Sequence, residues 1–175
     1  IIYVMTMAPT TSFWDCGEFI ATSVTMGVPH PPGTPLYLIL GNFFSQLPFF
    51  NDLGARVNLI SPITSAFAVM FLYLISVQLI EEWRGKSESI SNQLITYGSA
   101  FIGAMTFAMT DSHWFNAVEA EVYSMATFIL SVIFYVGLLW ERDMLKPRGN
   151  RWLILICFIV GLLFGVHFMG LLAIP

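Results

Sequence analysis

Four stretches of this chain run without a single Asp, Glu, Lys or Arg: Val57 to Ile80, Ile90 to Thr110, Val122 to Trp140 and Trp152 to Pro175. Each is long enough for a hydrocarbon layer about 30 Å thick, which an α-helix crosses in about 20 residues. Ile1 to Ala8 reads as the end of a further span. Inside lipid no water is available to the backbone, so segments like these satisfy their amides internally and fold as helices. With 57% of residues apolar and 10% charged, the chain lies outside the range of ordinary soluble domains. The predicted class is therefore all-α, a polytopic membrane helix bundle, as one transmembrane domain over residues 1–175.

Between the first two spans lies Pro35 to Pro48, about 20 Å of helix and too short to cross. Leu36, Leu40, Phe43 and Leu47 share one stripe and Asn42, Ser45 and Gln46 gather opposite, a pattern that predicts an interfacial helix half sunk among headgroups. Six of the seven basic residues fall in two loops, Arg84 with Lys86, and Arg142, Lys146, Arg148 and Arg151. Positive charge marks the cytoplasmic side, and these loops read as plain positive-inside anchors. Asp15, Glu18, His30, Asp52, Arg56, Asp111, His113, Glu119, Glu121 and His167 then share the outer face. Ionisable groups so close to hydrocarbon are costly unless they face a wet cavity or one another, so they mark a candidate site.

Each candidate has a bland reading beside the functional one. Asp15 and Glu18, three apart, share a helix face, yet Asp15 also suits a cap. The prolines of PHPPG restrain His30, or simply build a corner. Arg56, the one basic residue predicted outside, fits a lipid phosphate, a substrate phosphate or Asp52. Asn116 with Glu119 has capping-box spacing, while Glu121 points elsewhere and lies deeper. His167 sits inside an uncharged run near Gly165 and Gly170. Ala100, Ala104 and Ala108, and Gly161 with Gly165, are small-residue stripes suited to close helix packing. Cys16 and Cys157 form no CxxC pair and are predicted at opposite depths, against a disulfide or a thiol metal site. Three histidines and several acids leave a divalent cation open, without any metal-binding spacing. A net charge of −4 with no basic run gives no footprint for nucleic acid.

The blocks APTTSFWDCGEFIATSVTMGVPHPPGTPLYLILGNFFS, RVNLISPITSAF, DSHWFNAVEAEVY and GLLFGVHFMGLLAIP closely resemble the bacterial family known as domain of unknown function 2723. That family is similar to the eukaryotic transmembrane-protein-260 type of protein O-mannosyltransferases, within the GT-C superfamily. The resemblance implies the N-terminal catalytic part of a longer inverting glycosyltransferase with interfacial helices in its first outer loop. It implies a polyprenyl-phosphate sugar as donor, a Ser or Thr hydroxyl of a protein or peptide as acceptor, and a lipid bilayer as setting. The expected location is the bacterial inner membrane, the site facing the periplasm. Asp15 matches the family's essential acid, Glu18 completes the acidic motif, and His30 and Arg56 match its His-Pro-Pro and second-span Arg. Cys16 and Gly17 separate acids that are adjacent in related enzymes, which leaves open whether Asp15 or Glu18 is the base. Glu119, Glu121 and His167 are expected to line the substrate pocket. The competing readings are a transporter with outer acids on an ion path, or a non-catalytic scaffold subunit of an envelope complex.

Overall fold

The computed structural model describes residues 1–86, 89–168 and 172. These residues form helices and no strand: α1 (Ile2–Met5), α2 (Cys16–Thr25), α3 (Pro35–Ser45), α4 (Leu53–Asn58), α5 (Ile60–Arg84), α6 (Ile90–Ala108), α7 (Asp111–Ala117), α8 (Val122–Asp143) and α9 (Arg151–Phe164). Local chemistry sets several boundaries. Pro35 opens α3, where its missing N–H costs nothing. The Asp52 carboxylate caps α4 by accepting from the Ala55 amide at 3.1 Å. Met26 ends α2 in a left-handed conformation.

Among the described residues two helical stretches are long and apolar enough to cross a membrane, Leu53–Arg84, which takes in α4 and α5, and Val122–Asp143. The others fall short of the spans expected from the sequence. Helix α6 has the length, but Ser91, Asn92 and Gln93 make its first turn polar. Helix α9 has 14 residues, about 21 Å, because the chain turns at Gly165. The end of the predicted Trp152 to Pro175 span, Gly170 included, lies outside the described residues. The Ile1 to Ala8 segment is helical only over Ile2–Met5.

Helices α5 and α8 run in the same direction and α6 runs the opposite way. Ala120 and Glu121, just before α8, donate backbone hydrogen bonds to Asn58, the last residue of α4, and to Ser61 at the start of α5. At the other end Tyr97 of α6 donates to Glu81 of α5. Helix α6 buries only Ala100, Ala104 and Ala108, the alanine stripe expected to allow close approach. The GxxxG pair behaves otherwise. Gly165 presses on Leu36, whereas among the described residues nothing outside its own helix backbone lies within 4 Å of where a Gly161 Cβ would stand.

Helix α3 also departs from expectation. Its buried face is Tyr37, Leu38, Gly41 and Ser45, with Ile39 and Phe43 outward. Of the polar side expected in water, Ser45 is buried and Asn42 reaches α2, while Gln46 stays exposed. Asn42 donates to the Ser23 carbonyl at 3.0 Å, and a Cβ at Gly41 would come within 2.7 Å of the Ser23 Cβ. Asn42 thus helps to close the α2–α3 crossing, and of the apolar stripe Leu36 and Leu40 pack on the core while Phe43 faces outward.

The basic loop after α8 is more than an anchor. Asp143, 7% exposed, accepts from Lys146 at 2.7 Å, Arg142 at 3.4 Å and the Trp152 indole at 3.1 Å, with Arg151 at 3.8 Å. This network ties α8 to α9. It stands at the opposite end of α8 from Glu121, about 33 Å away along 22 residues.

Candidate active site

Of the acids expected on one face, Asp15, Glu18, Glu119 and Glu121 come together, where α2, α5 and α8 begin. Asp15 occupies the position before α2, but its side chain caps nothing and is exposed. One turn on, Glu18 faces the PHPPG segment. Its Oε2 lies 2.7 Å from His30 Nδ1, and its Oε1 accepts from the His30 amide at 2.6 Å. Both Glu18 oxygens are thus used to hold one residue. The hydrogen bond from the His30 ring pulls the Glu18 carboxyl below its usual range, and the same bond raises the His30 pKa. Phe19 flanks the ring at 5.9 Å. Asp15, Glu18 and His30 together offer atoms within 4.8 Å of one another, a spacing that could also hold a metal ion.

Glu119 and Glu121 close the site from the α7–α8 connection. The capping box expected from Asn116 and Glu119 does not form: Asn116 lies within α7 and donates to Ser112, and α8 starts after Glu121. Glu119 is 3% and Glu121 4% exposed, and each has one carboxylate oxygen without a hydrogen-bond partner. Burial pushes the Glu119 carboxyl up. For Glu121, burial first and then the charges of Asp15 and Glu119 push it up to about 7, with His30 pulling weakly the other way. A carboxyl that still holds its proton part of the time near pH 7 can donate it beside an exposed acid, a division of roles that acid–base enzymes exploit.

His167 follows the end of α9. The Leu36 amide donates to the Gly165 carbonyl at 2.8 Å, which sews this stretch to the start of α3. There the His167 ring lies 5.1 Å from Tyr123 and within electrostatic reach of His30.

Among the described residues Arg56 bonds to backbone carbonyls and not to the acids. Its Nε donates to the Phe50 carbonyl at 2.6 Å and Nη1 to the Ser45 carbonyl at 2.9 Å. It clamps the α3–α4 connection, with three of its five N–H donors outside those bonds. Asp52, its expected partner, caps α4 instead. His113 is buried against Phe107 and Tyr3, and Cys16 is a buried thiol whose pKa burial raises.

Asn58 is the residue sequence reasoning missed. Completely buried, it donates through Nδ2 to the carbonyls of Ala8 at 2.8 Å and Thr10 at 2.9 Å. Its Oδ1 accepts from the Ala120 amide at 2.9 Å and from the Cys16 thiol at 3.6 Å. The available signal was an amide in RVNLIS at the mouth of an apolar run, where a side chain without partners would be costly.

Residues 15–175 match the family model described as Protein O-mannosyl-transferase TMEM260 N-terminal domain. The chain belongs to this family. Among curated proteins it is 28% identical over 145 residues to Protein O-mannosyl-transferase tmem260 of Dictyostelium discoideum, covering 81% of this chain and 16% of that protein. It is 23% identical over 141 residues to Protein O-mannosyl-transferase TMEM260 of Mus musculus, covering 81% of this chain and 18% of that protein. The chain thus spans less than a fifth of the length of these relatives. No solved structure matches it. The family match starts at Asp15, the first acid of the cluster.

Proposed function

We propose that this chain carries the catalytic acids of an inverting, GT-C type glycosyltransferase, a protein O-mannosyltransferase using a polyprenyl-phosphate sugar. The observation that carries the reading is the convergence of Asp15, the Glu18–His30 pair and Glu121 in a chain of the TMEM260 N-terminal family. Asp15, the exposed acid, takes the proton of an acceptor Ser or Thr hydroxyl as that oxygen attacks the anomeric carbon. The bond to the carrier phosphate breaks, and the phosphate leaves with the electron pair.

The other residues position and stabilise. Glu18 has both oxygens on His30, so its role is to fix that imidazole at the edge of the site, and the base is Asp15. Protonated Glu121 donates to the sugar or phosphate, and its ionisation would repel the phosphate. Glu119 and His167 line the pocket, and Arg56 offers its remaining N–H groups to the leaving phosphate. A divalent cation would take Asp15, Glu18 and His30 as ligands and would supply charge stabilisation to the phosphate, at the expense of the Glu18–His30 bond. The active face is the non-cytoplasmic one, periplasmic in a bacterial inner membrane, because the basic loops lie at the far end of α8. A transmembrane ion path is disfavoured, since α5 and α8 carry their charged residues only in their last turns. The test is incubation of the intact purified protein with polyprenyl-phosphate mannose and a Ser/Thr peptide, read by mass. A hexose added to the peptide supports the reading, and an unchanged peptide alongside intact donor overturns it.

A further inference from the structure

We infer that Asn58 is a positioning residue of the active site, a buried amide that sets the distance between the acids of α2 and the acids before α8. The inference rests on the glycosyltransferase reading for its consequence in turnover, and on geometry alone for its placement. Asp15 and Glu121 lie more than a hundred residues apart in sequence, and neither is held by a hydrogen bond to the other. What joins their backbones is Asn58. Its Oδ1 receives the thiol of Cys16, next to Asp15, and the amide of Ala120, between Glu119 and Glu121. Its Nδ2 holds the Ala8 and Thr10 carbonyls, which fixes the chain that leads into Asp15. Two further bonds reinforce the node: the Ser61 hydroxyl, one helical turn further on, accepts from the Glu121 amide at 3.4 Å, and the Ala8 amide donates to the Val118 carbonyl at 2.8 Å.

An amide suits this place for a chemical reason. The node needs two donors for carbonyls and two acceptor lone pairs for an N–H and an S–H, in a site with no exposure to water. Among side chains only Asn and Gln supply both without charge, and Asn is the one short enough to keep the loops at this separation. Removing it leaves the Ala120 amide buried without its partner and takes the donor away from the Ala8 and Thr10 carbonyls. The 118–121 turn then relaxes toward water, and Glu121 goes with it. The charged and titratable groups facing Glu121 are Asp15 and His30 from the first loop, Glu119 from its own turn and Tyr37 from α3. Their spacing to Glu121 is what the node sets.

The test is Asn58→Ala in the intact protein, with the milder Ser61→Ala beside it should Asn58→Ala not be recovered folded. Two readouts are taken across pH: sugar transfer from polyprenyl-phosphate mannose, and thermal stability. The wild type should lose transfer above about pH 7 as Glu121 ionises. Asn58→Ala should lower transfer about 100-fold, the scale of an ångström's misplacement, and should move the alkaline limb and the stability curve to lower pH. Ser61→Ala should move both the same way by less. A purely structural role would reduce the yield of folded protein and leave the position of both curves unmoved. Unmoved curves in a folded variant overturn the inference. A wild type that transfers no sugar, while Asn58→Ala still shifts the stability curve, overturns the assigned reaction and keeps the positioning.

Discussion

Replacing Glu121 by Gln separates the burial of a carboxyl from its charge. Glu121 rises from 4.5 to about 7 in the folded protein, while in the unfolded chain it keeps its ordinary value. Below about pH 4.5 both states hold the proton, and the residue contributes nothing to the balance. Between 4.5 and 7 the unfolded chain releases its proton first, so stability falls as pH rises, by about 1.4 kcal/mol per pH unit. Above 7 both states are ionised and the penalty levels off at about 3 kcal/mol. Gln has nearly the same shape and cannot ionise, so Glu121→Gln should match the wild type near pH 4 and exceed it by up to about 3 kcal/mol at pH 8. The assay is thermal or denaturant unfolding of both proteins in the same lipid-detergent mixture at a series of pH values. A difference that does not vary with pH would refute the reasoning. It would mean that Glu121 is hydrated or paired, and that no neutral carboxyl stands beside Asp15.

Three further outcomes follow from particular contacts. Glu18→Gln removes the charged partner that does most to raise the His30 pKa, so His30 should titrate lower, a movement that imidazole NMR signals would report. Because the pair is exposed, the same change should leave the unfolding midpoint at pH 7 nearly unaltered. Gly41→Ala places a Cβ within 2.7 Å of the Ser23 Cβ; an overpacked crossing of this kind costs about 1–3 kcal/mol, measurable as a lower melting temperature, and an unchanged melt would show that α2 and α3 do not cross there. Asp143→Asn weakens the attraction of Arg142, Lys146 and Arg151 and should make the 144–150 connection more susceptible to protease while leaving sugar transfer intact.

The composition made the helical class and the membrane setting legible, and the alanine stripe of α6 announced its packing face. Span lengths were not legible, because a charge-free run says nothing about where the helix stops. Gly165 ends α9 with an apolar sequence still ahead, and the polar first turn of α6 counts against a run that the absence of charge favours. The amphipathic face of α3 misled for a related reason. Asn42, Ser45 and Gln46 look like a water-facing side, but only Gln46 is exposed: Asn42 spends its amide on the α2 carbonyls and Ser45 is buried beside it. The acids of the site were legible as a group, since charge is rare enough here to stand out. Their internal division was not: that Glu18 is consumed by His30 and Glu121 is buried depends on contacts across 12 and more than 100 residues. Asn58 was invisible for the same reason, an ordinary amide made decisive by four segments meeting around it.

The most direct measurement compares wild type and Asp15→Asn in the intact protein, each given polyprenyl-phosphate mannose and a Ser/Thr peptide, with product read by mass. The wild type should add a hexose, and the Asn variant, folded to the same melting temperature, should add essentially none. Equal transfer by the two proteins would contradict Asp15 as the base.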